Sequence, residues 1–168
     1  MIRKTTGFTL IEVIVSIFII GIVAGAGALS LSNIIEGYAM AGEAAEITQK
    51  AQIALTRIAV EMEHVNATDE GVHNFSANSF WYSGVFGNNT VESHTISFDA
   101  ANNEVLLDNF VVTDKVSALS FQYLAADMVS NVADAEDIRV IQIDLTMDGN
   151  MVHGRTFTTR VAPMPMQQ

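Results

Sequence analysis

A carboxylate at the start of a long apolar run constrains the fold more than any other feature of the sequence. From Val13 to Leu31, Ser16 and Ser30 are the only polar side chains. A helix of this length crosses a hydrocarbon layer of about 30 Å. Glu12 opens the run, where a charged side chain costs roughly 2.5 kcal/mol or more unless it is paired. The sequence therefore predicts one membrane-spanning helix whose Glu12 requires a cationic partner.

The residues before the run provide such a cation if the chain is cut there. Residues 1–7 form a short basic leader, and cleavage after Gly7 gives Phe8 a new α-amino group one helical turn from Glu12. Glu12 also lies near the positive end of its own helix, which stabilises the charge to some extent. Between chains, the amine of one subunit would neutralise Glu12 of its neighbour out of water. This arrangement predicts a role for Glu12 in assembly.

The leader and the apolar run closely resemble the class III signal of type IV prepilins and type II secretion pseudopilins, with the sequence GFTLIE at residues 7–12. The resemblance implies that a prepilin peptidase of the inner membrane cleaves between Gly7 and Phe8 and methylates Phe8. It also implies that Glu12 aids subunit recruitment and helical register in a filament. An ordinary signal anchor is the alternative, and a cleavable secretory signal fits worse because its cleavage site would follow the apolar stretch.

The charge balance limits the partners. The chain has 168 residues, eight Lys and Arg, nineteen Asp and Glu, and a formal net charge of −11. Nucleic-acid binding is not expected, because it relies on clustered Lys and Arg that displace counterions. Acidic faces that keep an exported domain soluble are the preferred interpretation. The basic leader predicts a cytoplasmic N-terminus and a periplasmic globular domain. The absence of Cys excludes a disulfide.

Beyond the span, apolar residues recur every three or four positions, which is typical of an amphipathic helix. No Pro interrupts the pattern, so we predict one helix from about Thr9 to His64, on the order of 80 Å long. We expect it to end in the polar segment 66–71. The predicted apolar stripe comprises Ile34, Tyr38, Ala41, Ala45, Thr48, Ala51, Leu55, Ile58, Met62 and Val65. The predicted domains are the leader at 1–7, the transmembrane helix at 8–31, its amphipathic extension at 32–65 and a globular β-rich domain at 66–168.

The globular domain is expected to be an antiparallel β-sheet packed on the second half of the helix, an α+β architecture. Trp81 and Tyr82 are expected in its core rather than in an exposed contact patch. The alternating patterns predict strands at 80–82, 91–98, 104–107, 116–124, 141–147 and 151–161. The intervening segments predict a poorly patterned connection at 72–78, loops at 84–89 and 127–137, and turns at 101–103, 108–109 and 148–150.

The sequence contains no recognisable catalytic motif. Its four His residues lack metal-ligand spacing, and neither a nucleophile elbow nor a P-loop is present. We therefore predict a protein that is not an enzyme and has no cofactor. Asp134, Glu136 and Asp137 are the best calcium candidates because hard oxygen ligands suit that ion, but their spacing does not match an EF-hand, and a solvated loop is the preferred interpretation.

The C-terminal half resembles, more weakly, the ending of J-type minor pseudopilins and W-type minor pilins at residues 119–124, 138–146 and 155–161. This resemblance implies a minor subunit of a type IV pilus or type II secretion filament, with a major pilin as the alternative. The implied partners are other pilin or pseudopilin subunits, the prepilin peptidase, the inner-membrane assembly platform and, before assembly, membrane lipid. An adhesive or substrate-binding tip subunit and a membrane-anchored periplasmic enzyme are the other functions left open.

Overall fold

The computed structural model describes residues 7, 9–63, 65, 72–86, 90–132 and 137–162, without the side chains of residues 72–75, 85–86 and 90. The chain divides into two compact units, Met1–Gly42 and Glu43–Gln168. The elements are α1 Leu10–Glu63, β1 Val72–Phe75, β2 Ser79–Phe86, β3 Thr90–Asp99, β4 Glu104–Leu107, β5 Phe110–Thr113, β6 Val116–Leu124, β7 Val140–Met147 and β8 Arg155–Val161. This order confirms the predicted α+β architecture.

Helix α1 runs without a break for 54 residues, from Leu10 to Glu63. The absence of Pro explains this continuity, since every backbone N–H after the first turn remains available to the helical ladder. The prediction of one long helix is therefore confirmed. His64 and the polar segment 66–71, where the helix was expected to end, lie outside the described residues.

In the second unit, one face of α1 is buried against the sheets. The buried residues of α1 are Ile47, Ala51, Ala54, Leu55, Ile58 and Met62. The predicted stripe is correct from Ala51 onward, and Thr48 is partly buried, but Ala45 is exposed and Ile47 is buried in its place. The three- and four-residue spacing of the stripe was counted from Ile34 and Tyr38. These side chains are 66% and 83% exposed, so their positions do not indicate which face of α1 is buried.

The strands form two antiparallel sheets rather than the single sheet expected. Strands β1 to β5 form a five-stranded sheet in sequential order, and β6, β7 and β8 form a three-stranded sheet. The division falls at the turn between β5 and β6, where Lys115 has a φ of 59°. Beyond this turn, β6 pairs with β7 instead of with β5. Both sheets contribute residues to one core with α1.

Two strands were not predicted. Strand β1 lies inside the segment 72–78 that was interpreted as a connection, and β5 follows the turn at Asp108 and Asn109. Each has only four residues, which is too short for alternation to stand out from chance. In addition, β2 continues to Phe86, so the loop predicted at 84–89 was placed too early; residues 87–89 lie outside the described residues.

The connection from β7 to β8 is longer than the three-residue turn predicted. Strand β8 begins at Arg155 rather than at residue 151. Gly149 donates its N–H to the carbonyl of Val152, and Gly154, at a φ of 62°, donates its N–H to the Asp148 carboxylate. These bonds satisfy backbone groups of the wide loop between β7 and β8, so the pairing of the two strands begins only after this loop.

An aromatic cluster in the core joins the two sheets. The ring of Phe80 in β2 lies 5.3 Å from that of Tyr82 and 6.0 Å from those of Phe121 and Tyr123 in β6. Tyr82 is fully buried, as predicted, whereas Trp81 is 41% exposed, so its placement in the core was wrong. Successive side chains of a strand point to opposite faces, and only one of this pair can face inward.

Candidate membrane-assembly segment

Thr9 caps the N-terminus of α1. Its carbonyl accepts the N–H groups of Glu12 and Val13 at 3.1 and 3.3 Å, and its Oγ1 accepts the N–H of Glu12 at 3.4 Å. Thr9 and Glu12 have the spacing of a capping box, in which a hydroxyl residue precedes Glu by three positions. This role of Thr9 was not predicted, although the spacing of Thr9 and Glu12 indicates it. The cap fixes where the helix starts and thereby places Glu12 in its first turn.

Glu12 is exposed within an apolar environment. Its neighbours Leu10, Ile11 and Val13 are 80%, 68% and 42% exposed. Among the described residues, no cation lies within ion-pair distance of Glu12 and no donor bonds its carboxylate. Within the described part of the chain, the Glu12 carboxylate is therefore stabilised only by the partial positive charge at the N-terminus of its own helix. Phe8, the predicted processing residue, lies outside the described residues, and Gly7 is exposed.

Within the described residues, α1 is the helix long and apolar enough to cross a membrane. Its most apolar stretch has a mean hydropathy of 2.5 and no buried residues. The hydroxyls of Ser16 and Ser30 donate to the carbonyls of Glu12 and Ala26, four positions earlier, at 2.6 and 2.9 Å. Both hydroxyls are therefore satisfied inside the helix, as lipid requires of polar groups.

A charged cluster fixes α1 to the turn between β5 and β6. Lys50 Nζ lies 2.7 Å from Asp114 Oδ1 and 3.1 Å from Glu46 Oε1, and Lys115 Nζ lies 2.9 Å from the same Glu46 oxygen. Lys115 and Lys50 hold the pKa of Glu46 below its ordinary value, and Lys50 does the same for the pKa of Asp114. Asp114 in turn is the main cause of the raised pKa of Lys50.

Glu43 holds the connection between β7 and β8. Its carboxylate accepts the backbone N–H groups of Asn150 and Met151 at 2.6 and 2.7 Å, and these bonds lower its pKa. A Cβ on Gly149 would lie 2.6 Å from this carboxyl group and 2.8 Å from Ile47 Cδ1. Only glycine fits this approach without displacing Glu43.

We expect the second unit to lose stability in acid. The lowered pKa values of Glu43, Glu46 and Asp114 mean that the native state binds fewer protons than the unfolded chain, so their contribution is present above the ordinary pKa values of 4.5 and 3.8 and lost as the pH falls through the lower native values. Thermal unfolding of the full chain in detergent between about pH 6 and pH 2 measures the loss.

The variant Glu46→Gln tests the assignment, because it should be less stable than wild type at neutral pH and approach it in acid. Glu63→Gln is the matched control, since Glu63 is an exposed α1 residue without a charged partner among the described residues. If Glu63→Gln flattened the acid profile as much as Glu46→Gln, the cluster would not be responsible.

The polar groups elsewhere in the second unit show no metal-binding arrangement within the described residues. His94 Nδ1 lies 2.5 Å from Asp108 Oδ2, and the other oxygen of Asp108 accepts the N–H of Thr95 at 2.8 Å. Of the calcium candidates, Asp134 and Glu136 lie outside the described residues and Asp137 is exposed. The calcium site therefore stays untested.

The exposed loop predicted at 127–137 is exposed at residues 127–131 and 137, whereas Val132 is partly buried against the core. Asp127 organises its first turn by accepting the hydroxyl of Ser130 and the N–H groups of Ser130 and Val129. These bonds lower the pKa of Asp127 to about 2. The Asp127 carboxylate therefore stabilises a local turn.

The N-terminal segment supports one class of protein. Residues 2–28 match the family model of the prokaryotic N-terminal methylation motif, a stretch that includes residues 2–7 of the leader, Thr9, Glu12 and most of the apolar run. The match supports a type IV pilin-like subunit with a single-pass membrane anchor. No curated protein matches the chain. The finer resemblance to J-type and W-type subunits stays a prediction.

Proposed function

We propose that the protein is a structural minor subunit of an inner-membrane-based filament, a type IV pilus or a type II secretion pseudopilus, and that it assembles through α1. The observation that carries this proposal is the methylation motif at residues 2–28, on a helix whose apolar side chains from Leu10 to Leu31 are largely exposed. A surface of that size is stable in lipid or against other helices of the same kind, and not in water.

The order of events follows from the charge of Glu12. Hydrolysis of the peptide bond between Gly7 and Phe8 releases the leader and leaves a cationic amine on Phe8, which the peptidase then methylates. The amine of an incoming subunit pairs with Glu12 of the subunit already in place. Two charges that are each costly in an apolar medium are thereby neutralised together, and the pairing sets the axial register between subunits.

The globular unit faces the periplasm and contacts neighbouring subunits, and it has no enzymatic role. Support for a minor subunit comes from the C-terminal segments 119–124, 138–146 and 155–161, which contribute to β6, β7 and β8 of one sheet. The subunit's partners are other pilin or pseudopilin subunits, the prepilin peptidase and the assembly platform. The motif family is structural, which supports a non-enzymatic role.

Processing gives the first test. Intact-mass analysis and N-terminal sequencing of the protein extracted from membranes should show a chain that starts at Phe8 and carries one added methyl group. The same protein from a strain without prepilin peptidase should retain residues 1–7 and still fractionate with the membrane. A chain that starts at Met1 in the strain with active peptidase would contradict the proposal.

A further inference from the structure

Strand β8 leaves one edge of the three-stranded sheet open. It pairs with β7 along its full length, from Arg155 opposite Met147 to Val161 opposite Ile141. Within the described part of the chain, β8 has no second neighbouring strand and no backbone hydrogen bond to any other element. Its seven residues span about 23 Å. Alternate residues therefore direct unpaired N–H and C=O groups away from the sheet.

We propose that this edge binds an extended, acidic segment of a partner protein, which pairs with β8 as a fourth strand of the sheet. Backbone groups in an open ladder are satisfied best by another extended chain, and this mode of recognition obtains its affinity from main-chain hydrogen bonds. The inference concerns the second unit alone, so it does not depend on filament assembly through α1.

The charge of the edge indicates an acidic partner. Strand β8 has the sequence RTFTTRV, with two Arg residues and no carboxylate, in a chain whose net charge is −11. Arg155 and Arg160 are both exposed. Arg160 Nε donates to Gln142 Oε1 at 2.9 Å, and neither guanidinium forms an ion pair with a described carboxylate. Opposite charges on neighbouring strands stabilise their pairing, whereas like charges oppose it.

The two faces of β8 specify an alternating partner sequence. Thr156, Thr158 and Arg160 are exposed and share a face with Asp144 and Gln142 of β7, where Thr158 Oγ1 donates to Asp144 at 2.6 Å. On the opposite face, Phe157 and Thr159 are only partly buried. An added strand would place polar or acidic side chains beside the first face and apolar side chains over Phe157.

The open edge of β5 fits such a partner less well. Strand β5 has four residues, two of which, Phe110 and Val111, are 75% and 52% exposed and carry no charge to select a partner. Arginines on an edge also discourage pairing between two copies of the same strand. We therefore assign the site to a different, acidic chain rather than to a second copy of β8.

The test measures amide hydrogen exchange of the full chain in detergent micelles. The probe is a synthetic peptide of the length of β8 in which Glu and Val alternate, compared with a peptide in which Lys replaces every Glu. The Glu peptide should slow exchange at alternate residues of β8 by about tenfold or more, and the Lys peptide should not.

Charge reversal supplies the matched variants. Arg160→Glu, on the face beside which the Glu side chains of the peptide would lie, should weaken binding of the Glu peptide by about tenfold. Arg57→Glu, which changes an exposed arginine of α1, should leave binding unchanged, and near-ultraviolet circular dichroism verifies that every variant is folded. Equal protection by both peptides, unchanged binding to Arg160→Glu, or no protection would overturn the proposal. Protection that rises with protein concentration without peptide would also overturn it, in favour of a second copy.

Discussion

Glu12→Gln is expected to leave the protein in the membrane and to reduce its incorporation into filaments by about 100-fold or more. Gln keeps the size of the side chain but removes its charge, so in the proposed assembly the amine of an incoming Phe8 would enter an apolar medium without a counter-ion. Removing one partner of a buried ion pair costs about 3–5 kcal/mol, and an energy of this size corresponds to the expected reduction of incorporation by about 100-fold or more. Membrane insertion should persist because the apolar run is unchanged and insertion of a neutral side chain costs less than that of a carboxylate.

The measurement compares the sheared filament fraction with the membrane fraction by immunoblot. Glu36→Gln is the matched control, because Glu36 is an exposed carboxylate of α1 that lies beyond the apolar run. It should incorporate at the wild-type level. Normal incorporation of Glu12→Gln would remove the ion pair from the proposed mechanism, and loss of the variant from the membrane would assign Glu12 to insertion instead.

The long N-terminal helix could be predicted from the sequence because its signals are local. The apolar run, the leader and the position of Glu12 each lie within about 30 residues, and helix formation depends on neighbours three or four positions apart. The Thr9 cap could have been predicted in the same way, because Thr9 and Glu12 are only three residues apart. The error at Ala45 and Ile47 arose because the spacing was extended from Ile34 and Tyr38, which are exposed and do not indicate which face of the helix meets a sheet.

The globular half was predicted strand by strand but not as two sheets. Alternation identified the longer strands, whereas pairing between strands depends on contacts that no short stretch of sequence encodes. The bonds from Glu43 to Asn150 and Met151 join residues 107 and 108 positions apart, and the pattern around Glu43 is that of an ordinary exposed helical carboxylate. The open edge of β8 likewise follows from the order β6-β7-β8, which only the structure supplies.

The second large effect concerns Phe80. Phe80→Ala is expected to lower the free energy of unfolding of the second unit by about 3–5 kcal/mol. Phe80 is fully buried, and its ring contacts Tyr82 on its own strand and Phe121 and Tyr123 on β6. The substitution therefore removes apolar surface and leaves a cavity at the point where the two sheets meet, and neither sheet can close it without moving away from its own ladder.

Denaturant unfolding of the full chain in detergent, followed by near-ultraviolet circular dichroism, measures this loss. Phe110→Ala is the matched control, because the same atoms are removed from a side chain that is 75% exposed, and its cost should stay near 0.5 kcal/mol or below. Since Phe80 contacts both sheets, amide exchange in Phe80→Ala should accelerate in β2 and in β6 together. Acceleration in β2 alone would show that the sheets are stabilised independently, and equal costs for the two variants would show that the aromatic cluster does not join them.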